Sequence, residues 1–154
     1  MKDLVYEFFK ITAKYHRHFN LPTEEKGSGY RQVYSVSKLD LSDINPEEII
    51  LIKGGKENSV MKQVRLMDAG YEILHPRVLL GLLQSGNIPE SWKDKYNIDF
   101  LGAWFCATGD WTACCNPLTI SVFWHNREWN ISYDDLTDAG YDHYIAVIKK
   151  GGDK

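Results

Sequence analysis

The sequence predicts an α+β protein: a single domain over residues 1–154, with N-terminal helices packed on a mainly antiparallel sheet that ends in a C-terminal β-meander. Three observations predict it. Apolar residues recur at helical spacing near the N-terminus, the hydrophobic period becomes two beyond residue 98, and 154 residues suit one core of ordinary size.

The first element is an amphipathic helix, in which Leu4, Phe8, Ile11, Tyr15 and Phe19 form one stripe that ends before Pro22. A stripe of this kind docks on a core, because helices are stabilised mainly by burying such a face. A membrane-surface helix would need more Lys and Arg on its polar side. Residues 22–29 read as a loop and Tyr30–Val36, rich in aromatic and β-branched residues, as a strand. Asn45-Pro46 has the form of a helix cap followed by a first-turn proline, but the short run Ile49–Ile52 stops at Gly54-Gly55. A turn followed by a buried strand fits better. Val60–Leu66 suits strand or helix, since its periodicity does not decide. His75-Pro76-Arg77 opens a helix through Gln84, with Gly86 suited to a left-handed stop and a helical turn restarting around Ile88–Trp92.

Beyond Ile98 four strands are expected. Phe100–Cys106 is followed by Leu118, Ile120, Val122 and Trp124 in alternation with Thr119, Ser121 and Phe123. Trp129, Ile131 and Tyr133 alternate in the next strand, His125–Glu128 forms the hairpin loop between them, and Tyr144–Ile148 completes the meander.

Charge narrows the function classes. The net charge is −3, but residues 78–154 carry 6 Lys and Arg against 10 Asp and Glu, and Arg127 is the one basic side chain in 98–148. Such a segment repels a phosphate backbone, so nucleic-acid binding is not expected. No run of 18 apolar residues is present, so no membrane-spanning helix is expected either. Cys106, Cys114 and Cys115 are odd in number, two of them adjacent, and make a poor disulfide framework. The N-terminal decapeptide lacks a secretory pattern, which together with free thiols points to the cytosol. The Asn130-Ile131-Ser132 sequon then carries little meaning.

Four constellations could carry chemistry. Trp104, Trp111, Trp124 and Trp129 fall within 26 residues, as either core packing or a binding platform. Asp134 and Asp135, with Asp138 and Asp142, form an acidic edge that could steer a cationic partner surface but lacks the spacing of a calcium loop. Cys106, Cys114, Cys115 and His125 are zinc-ligand types without the C-x2-C clasp, so no metal or other cofactor is expected. Cys114 or Cys115 with His125 or His143, oriented by Asp110 or Asp134, would make a thiol nucleophile with its base. No catalytic motif supports that arrangement. The sequence therefore points to a small cytosolic protein-interaction module, an inhibitor, immunity or accessory protein. It would bind a protein partner through Trp104, Trp111, Trp124, Trp129, Asp134 and Asp135. The alternative is a small cysteine-dependent hydrolase or transferase.

Overall fold

A computed structural model of the protein describes residues 30–95, 97–107, 118–135 and 142–151. Among them are seven strands: β1 (Tyr30–Ser35), β2 (Ile50–Lys53), β3 (Tyr71–Ile73), β4 (Ile98–Ala107), β5 (Leu118–His125), β6 (Glu128–Asp135) and β7 (Tyr144–Lys149). Two α-helices, α1 (Ser59–Asp68) and α2 (Pro76–Ser85), lie between strands.

The strands form one mixed sheet in the order β2-β7-β4-β5-β6, with β1 also paired to β4 and β3 to β7. This overturns the expected stack of N-terminal helices on a mainly antiparallel sheet. Three of the seven strands come from the first half of the chain, and the sheet is mixed, with β4 and β7 running parallel. The meander itself holds through β4, β5 and β6. β7 does not extend it beyond β6 but returns to the start of β4, pairing parallel through Ile98 with Tyr144 and Asp99 with Ile145. The reason lies in β7 itself, where Ile145, Ala146 and Val147 are all fully buried. A strand apolar on both sides belongs inside a sheet, not at its edge. The helix expected over residues 4–19 lies outside the described residues.

Local signals account for the helices. Asn58 caps α1 by accepting from the Met61 amide at 2.9 Å, which resolves the segment whose periodicity was ambiguous in favour of helix. α2 begins at Pro76 and stops at Gly86, whose φ of 69° is the left-handed conformation that glycine adopts without penalty. Asn45 caps a 3-10 turn at Pro46–Glu48 just before β2. The β5–β6 hairpin turns through Asn126 and Arg127, both at positive φ (52° and 62°), as a two-residue turn of the right twist requires. Asparagine tolerates that conformation, arginine less so. Arg127→Gly should therefore raise stability by about 0.5 kcal/mol, after allowing for glycine's greater unfolded-state entropy; urea denaturation would show it.

The sheet is covered on both faces. On one, α2 and Trp92 bury Ile98, Phe100, Ile120, Val122, Ile131 and Ala146. On the other, Leu66 of α1 packs with Ile73, Leu101, Ile145 and Val147. β4 is irregular between Phe100 and Phe105, and Gly102 sits at that irregularity. Its amide donates to the Leu74 carbonyl at 2.9 Å, while its own carbonyl accepts from Val36 and Ser37. One glycine thus joins β4 to the ends of both β1 and β3.

Candidate functional site

The face covered by α1 carries an unusual set of side chains. Strand pairing aligns Asp99 with Ser121 and Ser121 with Ser132 across β4, β5 and β6. Thr119 and Asp134 are paired one step further along, and side chains two residues apart on a strand share a face. β7 contributes His143 immediately before its first residue. Asp99, Thr119, Ser121 and His143 are all buried, and the Asp134 side chain is 24% exposed.

These groups converge on His143. Its Nδ1 lies 3.1 Å from Asp99 Oδ1 and 3.6 Å from Asp134 Oδ2. Its Nε2 lies 3.3 Å from the Asn97 side-chain nitrogen. Asp134 is 3.4 Å from the Ser121 hydroxyl, which in turn shares a 2.5 Å hydrogen bond with that of Ser132. Backbone contacts pin the approach to the site. The His143 carbonyl accepts from Gly54 at 2.8 Å, and the Tyr144 amide donates to Asn97. Asp142 accepts from the Gly55 amide at 2.9 Å, and that bond lowers its pKa.

Electrostatics follow from this crowding. Burial works against the His143 cation, but the hydrogen bond and charge of Asp99, together with the charge of Asp134, outweigh it and raise the imidazole's pKa. Burial and then the neighbouring Asp99 raise Asp134, against the opposing pull of His143, Ser121 and Lys62. Two carboxylates at one nitrogen hold more negative charge than the imidazole alone offsets.

The polar face explains α1. Its inward side presents Lys62 and Gln63, both buried, and the Gln63 amide donates to the Leu101 carbonyl. Buried polar groups must be matched by polar groups, so the helix turns polar residues toward this end of the sheet. Apolar residues are left outside: Met61, Val64 and Met67 are 51%, 49% and 47% exposed.

The residues singled out from sequence are dispersed. Trp124 and Trp129 are half-buried cross-strand partners in an edge-on contact at 5.1 Å. Trp129 packs on the core of the α2 face, and the Lys93 ammonium sits 4.1 Å over the Trp124 ring. Trp104 is half-buried against Tyr34 with ring centres 4.4 Å apart, and its buried Nε1 has no hydrogen-bond partner among the described residues. Phe105 points into the α2 side, so alternation places Trp104 on the α1 side. Asp134 belongs to the His143 cluster on that same side. Only the backbone of Asp135 and Cys106 is described; Trp111, Asp110, Cys114, Cys115 and Asp138 lie outside the described residues.

Of the groups weighed as catalytic, His143 and Asp134 are brought together, while His125 is exposed beside the hairpin turn. Asp99 and Asn97 were missed as partners of His143. The one available signal was an aspartate inside an otherwise apolar strand, Ile98-Asp99-Phe100-Leu101. Among the described residues no helix is long and apolar enough to cross a membrane. Comparison of the chain with protein-family models, with curated proteins and with solved structures found no match in any of the three.

Proposed function

We propose that this chain is a small cytosolic protein-interaction module, of the inhibitor, immunity or accessory kind, and that it binds its partner through the outward side of α1 together with the Tyr34–Trp104 pair. One observation carries the reading. The large hydrophobic residues exposed among the described residues are Tyr34, Met61, Val64 and Met67; the last three are on α1, and strand alternation puts Tyr34, stacked with Trp104, on the α1 side of the sheet. Single exposed apolar residues are ordinary, but a group of them on one face favours a docking surface. Two methionines add adaptable, polarisable contact area, and Trp104 keeps an aromatic anchor in the surface.

The partner is a different protein that offers an apolar groove. Arg65, the cation on the outward side of α1, is bound to Glu57 at 2.7 Å and to the Gly54 carbonyl at 2.5 Å. That leaves it poorly placed to hold a phosphate, and the surface favours protein over nucleic acid. A photo-crosslinking residue at position 64 should trap one protein, in a yield that falls at least tenfold in Met61→Asp. Because position 61 is half-exposed, melting of Met61→Asp should stay within about 0.5 kcal/mol of the parent. Crosslinks only to a second copy of the chain, or equal capture by Met61→Asp, would overturn the proposal.

A further inference from the structure

We propose that Asp99, Asp134 and His143 form a binding site for a single divalent transition-metal ion of the zinc class. The three residues each offer one ligand atom, all within 4.8 Å of one another. The imidazole Nδ1 stands 3.1 Å from one carboxylate oxygen and 3.6 Å from the other. Ligands bound to zinc at about 2.0–2.2 Å lie roughly 2.8–3.6 Å apart when they share a tetrahedral or octahedral ion, so both separations have the span of a coordination edge. A proton on Nδ1 can serve one carboxylate well, but here two converge on it. An ion serves all three.

A second observation concerns the far side of the ring. When a histidine binds metal through Nδ1, its proton sits on Nε2 and needs an acceptor. The group there is the Asn97 amide, presenting its nitrogen at 3.3 Å, while its Oδ1 is buried with no hydrogen-bond partner among the described residues. With the amide turned over, Nε2–H donates to Oδ1 and that acceptor gains its donor, while Nδ2 takes the other buried position. Ser121, braced by Ser132, steadies Asp134 in the same supporting role. Asp134 is the most exposed of the three ligands, its side chain 24% exposed. The Lys62 charge acts on the cluster from α1 and opposes any cation that enters it, so an ion there must be one that these donors bind strongly. A mixed nitrogen and oxygen set of three donors, with a competing ammonium nearby, favours zinc or cobalt over the oxygen-seeking calcium and magnesium.

Calorimetric titration of the full chain with Zn²⁺ alone, and separately with Ca²⁺, tests the site. One Zn²⁺ should bind per chain, Ca²⁺ should not, and the melting temperature should rise with Zn²⁺ concentration. Asp134→Asn should weaken Zn²⁺ by about 100-fold, and Asn97→Ala by about tenfold as an outer group. Replacing Cys106, Cys114 and Cys115 with serine should leave binding unchanged, which separates this site from the thiols. If Asp134→Asn folds poorly, nitrogen NMR of the parent decides, because zinc should shift the His143 Nδ1 resonance and leave Nε2 protonated. Absence of Zn²⁺ binding, dependence on the cysteines, or a His143 ring that titrates as a simple imidazolium without responding to zinc would overturn the proposal.

Discussion

Gly102→Ala should destabilise the protein by about 3 kcal/mol, at the upper end of the usual cost of overpacking, and lower its melting temperature by about 10 °C for a chain of this size. A methyl at this position would stand 2.5 Å from the Leu74 carbonyl carbon and 2.6 Å from the His75 amide nitrogen. Both are backbone atoms, so no side-chain rotation relieves the clash. Relief requires β4 to part from the end of β3, which breaks the 2.9 Å bond from the Gly102 amide to Leu74 and disturbs the carbonyl that receives Val36 and Ser37. Gly151→Ala is the natural control. Its new methyl would meet nothing within 4 Å, so it changes the backbone freedom of the chain without any overpacking. Thermal melts of the two variants should differ clearly, with Gly102→Ala much the weaker. Equal losses would show that the junction of β1, β3 and β4 is not the constraint described.

The second large effect is acid sensitivity at His75. This residue caps α2: its Nδ1 accepts from the Arg77 amide at 3.0 Å, so that nitrogen must be unprotonated. Burial first, and the nearby Arg77 charge second, push its pKa down to about 4 from the ordinary 6.5. The unfolded chain therefore binds a proton in a range where the folded chain does not. Stability from this group is complete above pH 6.5, declines as pH falls, and is lost by about pH 4. At about 1.4 kcal/mol per pH step, the loss is on the order of 3 kcal/mol. Asparagine keeps a capping oxygen without a titrating nitrogen. Urea unfolding between pH 7.5 and 4 should show a steep acid limb in the parent and a shallower one in His75→Asn, with the two converging toward pH 4. Parallel limbs would sink the assignment.

The α2 boundaries, the turn before β2 and the β5–β6 hairpin were legible because each depends on neighbours in sequence. Pro76 and Gly86 bracket a helix wherever it is placed, and alternation from Leu118 to Trp124 sets a strand. Where β7 joins the sheet was not legible. Tyr144–Ile148 reads as a fourth meander strand, yet its buried centre selects the interior position beside β4, and strand pairing is a long-range choice that no local pattern encodes.

The candidate site shows the same division more sharply. In sequence Thr119 and Ser121 read only as positions alternating with the apolar residues of β5, and Asp134 as part of an acidic edge. In the fold Thr119 and Ser121 are buried, Asp134 faces His143 and Asp99, and α1 turns Lys62 and Gln63 toward them. Sequence alone determined the bounds of α2, the strand periods and the polarity of each position, because these are properties of residues and their near neighbours. Only the tertiary structure decided which polar face would be covered. Burying a patch of carboxylate, imidazole and hydroxyl is tolerable only when distant segments bring matching groups to it, and residues 62, 99, 134 and 143 meet only after the chain has folded.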